Sequence, residues 1–223
     1  MSGAGRLIVF EGVEGVGKST QITLLLDRLE AAGVPHVALR EPGGTPLGDE
    51  IRRLLLDPAR SDDIAPRAEA LLFMASRAQL VESEIRPALA AGKVVVLDRF
   101  FLSTYAYQAG GRGLAEEEVR AANRFATSGL VPDLTLLLEL PVADGLSRAD
   151  ARARGRDRME RAADEFHGRV AAAFTRFADA DWQGAHPECG PIARVDARGS
   201  ETDVSRRVLT TLAARWPETF ATV

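Results

Sequence analysis

What this 223-residue sequence lacks narrows it before any motif is read. One cysteine, Cys189, stands alone, so no internal disulfide is possible and the chain reads as one made for a reducing compartment. No apolar run approaches the length of a membrane span, and the N-terminal run 7–10 is too short for a signal-peptide core. A soluble, cytoplasmic protein with no membrane partner is expected. Excess basic charge is missing too: 28 Lys and Arg against 32 Asp and Glu leave a net charge of −4. That excludes a dedicated binder of nucleic acid polymers with a broad basic face, so any anion has to be gripped locally. Lysine is nearly absent, with only Lys18 and Lys93, and the single asparagine is Asn123. With 46% hydrophobic and 27% charged residues, the composition is that of a globular domain rather than a disordered or coiled-coil chain.

What is present is an alternation of short apolar runs with amphipathic stretches, the βαβα pattern of a parallel sheet covered by helices. Strands are expected at 7–10, 34–39, 94–97, 133–140 and 192–195. Helices are expected at 21–32, 46–56, 66–84, 116–128, 162–181 and 204–216. The fold class is α/β, a single three-layer αβα domain over 1–223 with a five-stranded, mostly parallel sheet. The run Leu71, Leu72, Phe73, Met74, Ala75 is apolar all the way round its helix, which calls for cover on a second side and points to a homodimer. His36, His167 and His186 have no metal-ligand spacing and are expected at the surface.

The strongest motif is Gly12-Val13-Glu14-Gly15-Val16-Gly17-Lys18-Ser19, which matches G-x-x-x-x-G-K-[ST] between the first strand and the first helix. The chemistry demands this pattern. Glycines let backbone N–H groups converge on phosphate oxygens, and the helix N-terminus adds partial positive charge. Lys18 reaches the β- and γ-phosphates, Ser19 is placed for Mg²⁺, and Thr20 follows in the first helical turn. One of only two lysines occupies the required place. A signalling GTPase needs Asn-Lys-x-Asp, whereas Asn123 is followed by Arg124, Phe125 and Ala126. A motor or transporter ATPase needs more chain, so a small-molecule kinase fits best.

Two further segments end parallel strands, where open α/β sheets bind ligands: Arg40-Glu41-Pro42-Gly43-Gly44-Thr45 and Asp98-Arg99-Phe100. With Phe73, Arg77 and Tyr107-Gln108-Ala109-Gly110-Gly111-Arg112-Gly113, they make nearly the whole chain resemble the thymidylate kinase family. The resemblance implies phosphorylation of thymidine monophosphate (dTMP) by ATP with Mg²⁺. It places Phe73 on the thymine ring, Arg77 at its carbonyl, and Ser103, Thr104 and Gln108 in the base pocket. Tyr107 falls where an aromatic crowds the sugar 2′ position, Arg99 at the acceptor phosphate, Asp98 in the magnesium shell, and Glu14 at the acceptor 3′-hydroxyl. Glu41 is assigned to the same pocket. Each position has a plainer reading: Phe73 as core, Asp98 and Arg99 as a strand-end ion pair, Tyr107 and Gln108 as structural loop residues. Another nucleoside or nucleoside-monophosphate kinase on the same fold, or a nucleotide-binding module without turnover, remain the alternatives.

Between 148 and 161, six arginines meet three acidic residues, a local +3 in a chain of net −4. Phosphoryl transfer needs cations on the transferring group, yet Val13, Glu14, Gly15 and Val16 bring no arginine into the loop. The segment is similar to the closing lid of bacterial-type thymidylate kinases in Arg154, Gly155, Asp157, Arg158 and Glu160. The resemblance implies that Arg152 and Arg154 hold ATP and that Arg158 acts on the transferring phosphoryl.

Overall fold

A computed structural model describes residues 5–57, 64–141, 158–159, 164–221 and 223. Of the expected lid, only Arg158 and Met159 fall within them. Arg152 and Arg154 lie outside the described residues.

Five strands form one sheet in the order β2-β3-β1-β4-β5, and every pairing is parallel, so the expected mostly parallel sheet is a fully parallel one. They are β1 (Arg6–Glu11), β2 (His36–Arg40), β3 (Val94–Asp98), β4 (Leu134–Glu139) and β5 (Ile192–Asp196). The alternation of side chains along β1 builds the three layers. Leu7 and Val9 enter one core with Val95, Leu97, Phe100 and Phe174. Ile8 and Phe10 enter the opposite core with Leu25, Val96, Leu136 and Val208. Both faces are covered, which is why these strands are continuous apolar runs rather than alternating ones.

The helices are α1 (Lys18–Ala31), α2 (Pro46–Leu56) and α3 (Pro66–Leu80), which runs through a π-helical stretch, Val81–Ile85, into α4 (Arg86–Ala90). After β3 comes α5 (Phe101–Thr104), continued by a second π-helical stretch, Tyr105–Gly111, and then α6 (Glu116–Thr127). The remainder are α7 (Asp164–Arg176), α8 (Ala180–Ala185), α9 (Glu201–Arg215) and α10 (Pro217–Phe220). Local signals explain the ends. Thr45 caps α2 by accepting the Gly48 N–H, with Pro46 in the first turn. Ser200 and Asp203 close a capping box on α9, which stops before Pro217.

Three expectations need correction. Tyr107 and Gln108 lie in the π-helical stretch Tyr105–Gly111, so their plainer reading as loop residues does not hold. A Cβ on Gly111 would stand 2.4 Å from the Phe166 ring, so glycine there is a close-packing device for α7. The expected helix 162–181 is broken into α7 and α8. His186 is buried rather than exposed, its ring stacked on Trp182 at 3.9 Å and its Nδ1 bonded to the Trp182 carbonyl. The apolar α3 run is also covered on one side only: Met74 and Leu80 are buried, whereas Leu71 is 64% exposed.

Candidate active site

The chain leaves β1 first outward to β2 and β3, then returns past β1 to β4, so the strand order reverses at β1 and opens a crevice at its carboxyl end. The glycine-rich loop fills that crevice. Gly12 has φ +139°, and a Cβ there would come within 2.5 Å of the Leu138 carbonyl oxygen, so only glycine lets the loop cross the end of β4. Lys18, the first residue of α1, folds its Nζ back onto the carbonyls of Gly12 at 2.9 Å and Val13 at 3.0 Å. Burial, and then the nearby Arg99, push the Lys18 ammonium down to about 8. Gly15 and Val16 are buried, Gly17 is half-buried and precedes α1, and Ser19 faces solvent with Thr20 beside it. Ser19 Oγ donates to Asp98 Oδ2 at 3.4 Å, across the gap from β1 to β3. The other oxygen, Asp98 Oδ1, is buried with no hydrogen-bond partner. A hydroxyl and an unsatisfied carboxylate oxygen are hard donors suited to Mg²⁺, and among the described residues no group of three or more His, Cys, Asp or Glu is arranged to hold a metal ion by itself.

Arg99 follows Asp98 with φ +71°, a left-handed conformation that an arginine adopts only when its surroundings enforce it. Its guanidinium donates to Glu14 Oε1 and to Ser103 Oγ at 2.9 Å, and lies over the Tyr107 ring at 5.4 Å. Tyr107 donates its hydroxyl to the same Glu14 oxygen at 3.1 Å. Burial acts to lower the Arg99 pKa, but Glu14, Tyr107 and Asp98 more than offset it, so the group stays charged. Burial and the Glu14 charge raise the Tyr107 phenol, which stays a donor. Glu14, Arg99, Ser103 and Tyr107 are thus brought together beside Lys18 and Asp98.

The remaining expected residues are placed less simply. Arg77 is buried, with Nε at 2.8 Å from Glu41 Oε2, Nη2 on the Phe100 carbonyl at 2.9 Å, and Nη1 on Asn123 Oδ1. Burial raises the Glu41 carboxyl against the pull of Arg77. Phe73, four residues before Arg77 on the same helix face, is half-buried. Thr104 Oγ1 turns back to the Phe100 carbonyl at 3.4 Å, within its own helix. Gln108 donates through Nε2 to Glu69 at 3.2 Å.

Arg158 has its partners on α2 and α3. Its Nε donates to the Leu55 carbonyl at 2.6 Å and its Nη2 to Glu69, a carboxylate with no exposed surface that also takes two bonds from Arg112. Burial would raise Glu69, but these arginines hold it below the usual carboxylate range. A fully buried carboxylate captures a nearby guanidinium, so in this structure Arg158 ties the chain to α2 and α3.

Three residues of this network escaped sequence reasoning, Glu11, Glu69 and Asn123, and Arg112 was read only as part of the 107–113 segment. A carboxylate closing an apolar strand and another inside an apolar helix were available signals for the first two. Nothing local marks Asn123 as a partner of Arg77, 46 positions away.

A phosphate cradle at the switch point, with a buried lysine inside it and an arginine-centred pocket on the next strand end, defines a P-loop kinase for a small phosphorylated acceptor. Residues 10–185 match the family model described as Thymidylate kinase. A thymidylate kinase from Synechococcus sp. (strain JA-2-3B'a(2-13)) is 48% identical over 210 residues, covering 94% of this chain and 95% of its own. One from Rhizorhabdus wittichii is 45% identical over 214 residues, covering 96% and 99%. The chain belongs to the thymidylate kinase family, and its reaction is the ATP-dependent conversion of dTMP to dTDP.

Proposed function

We propose that the residues assembled at the carboxyl ends of β1, β2 and β3 divide this reaction between a donor loop and an acceptor pocket. The observation carrying the division is the Glu14–Arg99–Ser103–Tyr107 cluster lying beside Lys18 and Asp98. Residues 12–20 cradle the ATP phosphates, with Lys18 exchanging its two carbonyl partners for β- and γ-oxygens. Arg99 takes the acceptor phosphate, Glu14 the 3′-hydroxyl, and Tyr107 crowds the 2′ position. Phe73, Arg77, Thr104 and Gln108 line the base pocket, with Glu41 holding Arg77. Ser19 and Asp98 hold the Mg²⁺ shell; when bound, the ion supplies charge neutralisation on the β- and γ-phosphates. Lys18 and Arg99 are the catalytic cations of the described residues, and Arg158 acts as an anchor.

The protein works as a cytoplasmic homodimer. No described helix is long and apolar enough to cross a membrane. Leu47 on α2, Leu71 on α3 and Phe125 on α6 are 51%, 64% and 89% exposed on three helices that pack side by side. Cover by a second copy would remove that apolar surface from water. ADP release measured across the monophosphates of thymidine, deoxyuridine, uridine, cytidine, adenosine and guanosine tests the acceptor assignment. The thymidine form is expected to have the highest kcat/KM, and a different best acceptor overturns the pocket reading. Light scattering of wild type and Phe125→Asp tests the dimer: a wild-type monomer, or a dimer indifferent to the substitution, removes that interface.

A further inference from the structure

The acceptor arginine stands on a turn that its own chemistry disfavours, and the residue that enforces this turn has no part in the phosphate-loop motif. Glu11, the last residue of β1, has no exposed surface. Its Oε1 accepts the backbone N–H of Phe100 at 2.7 Å and of Ser103 at 3.0 Å, and its Oε2 accepts the Ser103 hydroxyl at 2.6 Å. One residue earlier, the Phe10 carbonyl accepts the Arg99 N–H at 3.0 Å. The end of β1 therefore grips the chain on both sides of the left-handed Arg99. The polarity of the side-chain contacts is forced. A guanidinium only donates, so the Ser103 oxygen accepts from Arg99 Nη1 and the Ser103 hydrogen points to Glu11 Oε2.

We infer that Glu11 is a positioning residue for the acceptor phosphate: through Ser103 it fixes the direction of the Arg99 guanidinium, and through the Phe100 N–H it holds the Arg99 backbone. This rests on the proposed role of Arg99. Glutamine at position 11 keeps an oxygen for the two backbone N–H groups and therefore keeps the fold. Its amide then turns a donor toward Ser103, so the serine oxygen faces two donors and the directed contact to Arg99 weakens.

The test is steady-state kinetics of Glu11→Gln, Ser103→Ala, their double mutant and Arg99→Ala, with thermal melts of each. Glu11→Gln is expected to raise KM for dTMP about tenfold, the worth of one charge-assisted hydrogen bond, with KM for ATP changed less than about twofold. In the Ser103→Ala background the same change should add little, because the intermediary is gone. Ser103→Thr, which keeps the hydroxyl, should restore most of the affinity. A merely structural Glu11 would lower the melting temperature and the active fraction while leaving both KM values alone, and that pattern overturns the proposal. Full additivity of the two substitutions overturns it as well. If Glu11→Gln does not fold, Ser103→Ala decides the matter on its own, since an unchanged KM for dTMP in that variant breaks the relay. If Arg99→Ala leaves KM for dTMP unchanged, the assignment of Arg99 itself has failed, which is a separate result.

Discussion

The proposed donor loop and the proposed acceptor pocket share one crevice and are built on opposite principles. The loop is contiguous, and its one cationic side chain, Lys18, rests on main-chain carbonyls of its own loop. The pocket draws on β1, β2, β3, α3, α5 and α6, and its charged side chains bind one another: Arg77 to Glu41 and Asn123, Arg99 to Glu14 and Ser103. Backbone dipoles need no partner beyond the chain that carries them, so a phosphate cradle can be local. Side chains that must point at a flat base and a sugar need directional support, and buried polar support has to be satisfied. Function and stability are therefore separable in the donor loop and fused in the acceptor pocket.

The largest effect that sharpens this contrast is loss of activity without loss of fold. Lys18→Ala should reduce kcat on the order of a thousandfold, roughly 4 kcal/mol, while the melting temperature barely moves. Stopped-time ADP assays beside calorimetry check this, and a large stability loss would break the separation. On the acceptor side, Arg77→Leu should cost about 3–5 kcal/mol of stability, because Glu41 is left buried without its counter-charge. A chemical denaturation curve reads that directly, and a stable Arg77→Leu protein that has lost only dTMP affinity would show that the pocket is as separable as the loop.

A smaller effect concerns specificity. Deoxyuridine monophosphate lacks only the methyl group, and an apolar methyl niche is worth about 1–3 kcal/mol, so kcat/KM should fall about tenfold or more without vanishing. Competition between the two acceptors in one reaction measures the ratio. The smallest effect belongs to the donor loop again. The free protein loses the Lys18 proton as pH rises through about 8, whereas bound phosphate favours the charged form. ATP binding above that pH must take up a proton, so Kd should rise with pH, approaching about tenfold per unit. Titration calorimetry in buffers of different ionisation heat counts the proton, and Lys18→Met should abolish the uptake.

The difference between the two regions also explains what could be read early. Strand positions, the reach of α2 from Pro46 to Leu56 and the phosphate loop were all legible, since each depends on residues within one turn or one strand. The role of Gly111 was not legible, because glycine in a helix is disfavoured locally and is retained there for the approach of Phe166, 55 residues on. A basic island in an acidic chain does not announce the partner of Arg158 either, since only the folded chain brings Glu69 to it.

By itself the sequence determined the alternation of strands and helices, the phosphate-binding loop and the family to which its motifs belong, all carried by short-range periodicity and fixed spacing. Tertiary structure alone decided which charges neutralise which. Glu11 meets Ser103 across 92 positions and Arg77 meets Asn123 across 46, and no local pattern encodes a pairing that exists only after β1, β3 and the helices beside them have packed.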